Sequence, residues 1–226
     1  MAVTRETCTW FDDFLGQRSF SATAEGGTGW DISDTSSGGT PTYASVSPSA
    51  CGEVALTLDS TSEAQLVDLF MGDILYFDVD NLLKMEFGAK VAGIDSVTTI
   101  LAGLASARNA TADSVTNLAW FRMQGSASTS NVVCESDDGT VDKDDIATGV
   151  TLSSTYKRFE ISFEAGKDDV RFYIDGARVA AGTTFDMGEM TGSFQPYFRV
   201  EKASGTGVPA LTLDYVRITY KRFMGA

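Results

Sequence analysis

The sequence contains no histidine, and this absence removes several classes of catalytic and metal-binding site. Without an imidazole, the chain cannot use Ser-His-Asp or Cys-His nucleophilic machinery, and it cannot hold a histidine-ligated metal. Calcium sites built from oxygen ligands and hydrolysis by paired carboxylates need no histidine, so both survive the exclusion.

Cysteine is scarce as well. Cys8, Cys51 and Cys134 are widely spaced, and no CxxC pair occurs. This spacing indicates neither a zinc site nor a disulfide framework, so we interpret the cysteines as isolated reduced thiols.

Basic residues are outnumbered, with 17 lysines and arginines against 31 acids and a formal net charge of −14. Such a surface repels phosphate backbones, and no basic cluster stands out, so we predict that nucleic acid is not a partner. No apolar run approaches the roughly 20 residues of a membrane span. The first residues, MAVTRETCTWFDDF, lack the basic segment and apolar core of a secretory signal. We therefore predict no membrane partner and synthesis in the cytoplasm.

The clearest structural pattern runs from Lys157 to Val179. Phe159, Ile161 and Phe163 alternate with polar residues, which places them on one face of a strand. A second alternating run ends in Asp175-Gly176, a pair suited to the positive φ angles of a type I′ turn. The pattern predicts an antiparallel meander with one buried face.

Similar alternation recurs along the chain. The predicted strands are Val54–Leu58, Ala64–Phe70, Leu82–Val91, Thr98–Leu104, Leu118–Met123, Asn131–Glu135, Phe194–Glu201 and Leu211–Tyr220. The apolar residues change phase within the last of these, which indicates a bulge or a strand covered on both sides. We predict an acidic loop from Glu135 to Asp145. Together these patterns predict an all-β fold, a two-sheet antiparallel jelly-roll sandwich, as a single domain over residues 1–226.

Three short motifs carry a family resemblance: FDDFLG at Phe11–Gly16, VRFYIDG at Val170–Gly176 and LDYVRI at Leu213–Ile218. In this order they resemble the concanavalin A-like, or laminin G-like, jelly roll. The early FDDF paired with the last motif also resembles modules in structural proteins of tailed bacteriophage particles.

The phage resemblance implies a virion structural protein that is made in the host cytoplasm. We expect a homo-oligomer that binds the capsid or other virion proteins. A capsid decoration protein is favoured over a tail component, because the chain has no fibrous or coiled-coil repeat.

The same superfamily includes glycoside hydrolases that resemble laminarinases, and these place carboxylates on one strand as Glu-x-Asp-x-x-Glu. Nucleophile and general acid must both face the cleft, which is why the chemistry needs that spacing. Glu135-Ser136-Asp137 is the nearest match here, but Asp138, Gly139 and Thr140 follow, so the third carboxylate is missing. We therefore predict that the protein is not an enzyme.

The alternative function is carbohydrate binding, as a lectin-like module or a receptor-binding tail component with a surface glycan as ligand. Calcium in such a lectin would need oxygens, and the acidic loop offers Glu135, Asp137, Asp138, Asp142, Asp144 and Asp145. The loop does not match the EF-hand order, however, and a solvated loop is the commoner outcome.

A sugar-stacking platform would need aromatic side chains, and the candidates are Trp120, Phe121, Tyr156, Tyr173 and Tyr197. Aromatics at strand spacing more often belong to the core or to an interface. We assign no catalytic, cofactor-binding or metal-binding residue, and we expect no cofactor.

Overall fold

The computed structural model describes residues 5–15, 20, 29–74, 77–125, 131–152 and 154–223, and these form two antiparallel sheets. Sheet A contains, in spatial order, β14 (Ala177–Val179), β13 (Arg171–Ile174), β12 (Lys157–Ser162), β7 (Leu82–Ala92), β16 (Ala210–Phe223), β4 (Val54–Thr57) and β3 (Thr42–Ser45), and β1 (Arg5–Asp12) also pairs with β16. Sheet B contains β11 (Asp142–Thr151), β10 (Asn131–Asp137), β9 (Leu118–Gln124), β8 (Thr98–Ala105), β15 (Ser193–Lys202), β5 (Gln65–Phe70) and β2 (Asp31–Asp34), and β6 (Phe77–Asp78) pairs with β15.

Helix is limited, within the described residues, to two short 3-10 turns at Ala112–Ser114 and Lys167–Asp169. Neither of them has the length or the apolar content to cross a membrane. The all-β prediction and the two-sheet sandwich are confirmed. The single domain over residues 1–226 stays a prediction.

The main hydrophobic core lies between the sheets, where aromatic rings from both meet. Phe87 of sheet A stacks on Phe159 with their centroids 5.0 Å apart, and Phe198 of sheet B meets Phe87 edge-on at 5.4 Å. All three side chains are buried. Each buried aromatic ring removes a large apolar area from water, so this layer supplies much of the stabilisation that holds the sheets together.

The predicted meander is confirmed in detail. Phe159, Ile161 and Phe163 are buried in the core, as the alternation requires. Asp175 and Gly176 have φ angles of 52° and 82°, and β13 and β14 pair antiparallel across them. Two positive φ angles in succession are the signature of a type I′ turn, so the Asp-Gly pair closes the hairpin as expected.

The bulge predicted in the last strand is also present. The pairing of β16 with β7 shifts between Leu213 and Tyr215, which leaves Asp214 as the extra residue. Leu213 and Val216 are consequently both buried although three positions separate them. The phase change in the sequence is therefore a real change of face.

The predicted acidic loop from Glu135 to Asp145 is wrong. β10 continues to Asp137 and β11 begins at Asp142, so only residues 138–141 connect the two strands. β11 lies at the edge of sheet B and its side chains are mostly exposed, so its sequence carries no apolar alternation to mark it as a strand. With the exception of Asp138, the acidic residues therefore lie on paired strands with fixed directions.

Candidate functional site

The outer face of sheet B, the face turned away from the main core, is covered over its central strands. Every residue of β8 is buried, although alternate residues point to opposite faces. A second apolar cluster lies on this outer face and consists of Phe70, Leu101, Ala105, Ala112, Val115, Leu118, Trp120 and Tyr197. Ala112 and Val115 belong to the connection between β8 and β9. We call this connection, residues 106–117, the strap.

A buried carboxylate fixes the strap to the sheet. Asp68 on β5 accepts hydrogen bonds from Tyr197 Oη at 2.7 Å, from Arg199 Nε at 2.6 Å and from Arg108 Nε at 2.8 Å. Arg108 is part of the strap, and Arg199 also donates to the strap carbonyls of Asn109 and Ala110. The strap is therefore held by charge-assisted hydrogen bonds as well as by apolar packing.

A cleft opens beside the strap, over strands β9, β10 and β11, with a volume of about 280 Å³. One wall comes from the strap, the floor from β9 and β10, and the far wall from the edge strand β11. The lining residues are Asp113, Val115, Leu118, Trp120, Arg122, Gln124, Glu135, Asp137, Asp142, Asp144 and Asp145. The lining thus combines six carboxyl groups with a single cation, Arg122.

A β-bulge explains why β11 contributes so many acids to one face. Cys134 pairs with Ile146 but Ser136 pairs with Lys143, so two residues of β11 oppose Glu135. These two are Asp144 and Asp145, and Asp145 has a φ of 51°. Regular alternation would send neighbouring side chains to opposite faces, whereas the bulge lets both line the cleft.

Glu135 is the most deeply buried of these acids, with 2% of its surface exposed. Trp120 Nε1 donates to its carboxylate at 2.6 Å, Arg122 Nη1 lies 3.3 Å from it, and Asp145 shares a hydrogen bond with it. Burial raises the pKa of Glu135 to about 7, against the opposing effects of Arg122 and Trp120 and with a contribution from Asp145. A carboxyl group with this pKa exchanges its proton near neutral pH, as a general acid or base must.

The neighbouring acids share this environment. Burial, followed by the charges of neighbouring carboxylates, raises the pKa of both Asp137 and Asp144. Arg122 does not neutralise the cleft, because it also lies 3.0 Å from Asp113. At Glu135, Asp137 and Asp144 the proton is consequently held more tightly than in water.

The aromatic candidates do not form a platform. Trp120 and Tyr197 are fully buried and stack on each other with centroids 6.0 Å apart, and Phe121 lies in the main core. Tyr156 lies under Lys90 of sheet A, and Tyr173 is on β13 of the same sheet, so neither is near the cleft of sheet B. Trp120 acts instead as the hydrogen-bond donor that orients Glu135.

Two residues that line the cleft, Arg122 and Asp113, are missing from the sequence-based candidates. The one signal for Arg122 is its position two residues after Trp120 on β9, which puts both side chains on one face; Trp120 pairs with Glu135, and Arg122 pairs with Val133. No such signal marks Asp113, which reaches the cleft through the strap. Among the residues that the structure describes, no three acids or cysteines are arranged to hold a metal ion, so the calcium alternative gains no support.

No protein-family model matches this chain, and no curated protein sequence matches it either. Solved structures do match it. The carbohydrate recognition domain of Emp47p has a TM-score of 0.56 and 11% identity over 90% of this chain and 92% of its own. A β-glucanase from Bacillus licheniformis has a TM-score of 0.60 and 14% identity over 93% of this chain and 97% of its own.

A glycoside hydrolase family 16 endo-glucanase from Bacteroides ovatus has a TM-score of 0.61 and 10% identity, over 92% of this chain and 99% of its own. These likenesses confirm the concanavalin A-like jelly roll. They contradict the prediction that the protein is not an enzyme, because several structures of this fold are glycoside hydrolases. The premise of that prediction was also incomplete, since β11 brings further carboxyl groups to Glu135 and Asp137.

Proposed function

We propose that this chain binds a carbohydrate in the cleft of sheet B and hydrolyses a glycosidic bond there, with Glu135 as the general acid. One observation carries the proposal: a buried glutamate with a pKa near neutrality faces an open cleft beside several other carboxyl groups. The likeness in fold to a carbohydrate recognition domain and to glucanases supports it.

Glycoside hydrolysis needs one protonated and one ionised carboxyl group on either side of the scissile bond. Glu135 fits the first role, because burial keeps its proton to about pH 7. Asp137 lies two residues further along the same strand, lines the same cleft and is only half-buried, so its ionised form is better solvated. It is the candidate base.

In this arrangement Glu135 would donate its proton to the leaving glycosidic oxygen, and Asp137 would accept a proton from the attacking water molecule.

The charge of the cleft limits the ligand. Six acidic side chains against Arg122 alone give a negative potential that repels uronic acids and sulfated sugars. The proposed ligand is therefore a neutral or positively charged glycan.

The test is a glycan array followed by hydrolysis assays on neutral polysaccharides, including mixed-linkage β-glucan. We expect binding of neutral glycans, and cleavage that Glu135→Gln lowers by at least 100-fold, since a general acid contributes roughly 10²–10⁴ in rate. Glu160→Gln is the matched control, because Glu160 pairs with Lys84 on the outer face of sheet A. Binding without cleavage would reduce the proposal to carbohydrate recognition, and no binding of any neutral glycan would overturn it.

The location in a tailed-phage particle, the homo-oligomer and the capsid partner stay predictions from the sequence. The solved structures described above give them no support. A carbohydrate-acting site is compatible with a particle component that contacts glycans on a cell surface. Recovery of the chain in purified particles by mass spectrometry would test that location.

A further inference from the structure

We infer that the strap closes the cleft on one side, so that the site takes the end of a glycan chain rather than its middle. This inference rests on the proposed carbohydrate site. It deepens that proposal by naming the part of the glycan that the site recognises.

The strap fills the path that a long glycan would follow across sheet B. The outer-face residues Leu101 and Ala105 on β8 and Tyr197 on β15 are buried under the strap residues Ala112 and Val115. Beside the cleft, the outer face of β8 and β15 is therefore covered by the strap, and a ligand finds no open groove there.

The strap is fixed at both of its sides. Arg108 and Arg199 connect it to Asp68 in the interior, and all the charged groups of the Asp68–Arg199 pair are inaccessible to water. At the cleft, Asp113 of the strap contacts Arg122 at 3.0 Å. The Asp68–Arg199 pair is shielded from water and is therefore screened little by salt. The Asp113–Arg122 contact is exposed, with 72% of the Asp113 side chain accessible, so the interior contacts are the ones that hold the strap as a wall.

The opposite wall of the cleft is β11, whose side chains are mostly exposed. β11 is the edge strand of sheet B, and within the described residues no further strand pairs with it. The connection of β10 to β11 is short and held in place, because Asp138 accepts hydrogen bonds from the backbone N–H groups of Val141 at 2.7 Å and Glu189 at 3.1 Å. A chain end can therefore enter over β11 and stop at the strap.

The size of the cleft agrees with a terminal site. A volume of about 280 Å³ lies just below the range of typical small-molecule sites, roughly 300–1,000 Å³. It holds about one or two sugar units, whereas a site that binds the middle of a chain extends over more units. Glu135 lies within this volume, so cleavage would occur next to the chain end.

The test measures how binding depends on chain length. Calorimetry with neutral oligosaccharides of one to six units, from mixed-linkage β-glucan, xylan, mannan and chitin, gives the affinity at each length. We expect the affinity to level off by about two units. An affinity that keeps rising tenfold or more between two and six units would overturn the inference and leave the proposed function standing. Absence of binding in every series would overturn both.

A variant with a loosened strap sharpens the test. Arg108→Ala with Val115→Gly removes one ionic contact and one apolar contact of the strap, and we expect affinity to rise again with chain length. Thr111→Ala with Ser114→Ala changes two exposed strap positions and is the matched control. If the loosened variant does not fold, the products of the intact protein decide: short products at the first turnovers support the inference, and long internal fragments overturn it.

Discussion

Asp68 and Glu135 are both buried carboxylates on the outer face of sheet B, yet their surroundings differ in the number of donors. Asp68 accepts four hydrogen bonds, from Tyr197, Arg108 and two nitrogens of Arg199. Glu135 accepts from Trp120 and from Arg122, which it shares with Asp113.

This difference separates a structural carboxylate from one suited to chemistry. A buried carboxylate with several cationic donors fixes the chain around it by charge-assisted hydrogen bonds, as Asp68 fixes the strap. A buried carboxylate with too few donors keeps its proton to higher pH, which the pKa of Glu135 at about 7 shows. Both carboxylates are buried on the same sheet face, so they differ in the number of arginine donors and not in the depth of burial.

The largest effect that this comparison predicts is on stability at Asp68. Asp68→Asn leaves Arg199 buried without its counter-charge, and breaking a buried ion pair in this way costs about 3–5 kcal/mol. Urea unfolding of the variant measures this loss. Glu160→Gln, which removes the half-exposed contact with Lys84, is the control and should change the free energy of unfolding by less than about 1 kcal/mol.

The pH dependence of stability is the next largest effect. The pKa of Glu135 is raised from 4.5 to about 7, so between these values the folded protein holds a proton that the unfolded chain has lost. The free energy of unfolding therefore falls as pH rises through this window, by an amount on the order of 3 kcal/mol.

The measurement is urea unfolding of the wild type and of Glu135→Gln at several pH values between about 4 and 8. The variant has no titrating group at this position, so the difference between the two proteins should shrink or reverse as pH rises. A difference that stays constant across the window would show that Glu135 titrates normally, and the contrast with Asp68 would fail.

The parts of this fold that sequence predicts are strands with at least one face in the core. β12 and β13 alternate apolar and polar residues because they have one face in the core, and Asp175-Gly176 specifies its turn locally. The candidate site depends on features of a different kind. The bulge at Asp144 and Asp145 is a property of the register between two strands, and nothing in β11 alone specifies that register.

The N-terminal motif shows the same limit at a smaller scale. Asp12 in the FDDFLG motif is buried and accepts a hydrogen bond from Trp30 Nε1 at 2.9 Å. Trp120 and Glu135 form the same kind of pair at 2.6 Å. In both cases a tryptophan distant in sequence, by 18 and 15 residues, supplies the donor, and the fold alone brings the partners together.

The smallest predicted effect concerns the bulge itself. Asp145→Asn removes a charge next to Glu135 and keeps a side chain that tolerates the φ of 51° at this position. Because Asp145 contributes less than burial to the raised pKa of Glu135, we expect that pKa to fall by less than about one unit. Carbon-detected NMR titration of the Glu135 carboxyl group measures the shift, with Glu160→Gln as the unchanged control. A lower pKa of Glu135 in the variant would show that the bulge of β11 helps to raise this pKa. An unchanged pKa would assign the shift to burial and leave β11 only as a wall of the cleft.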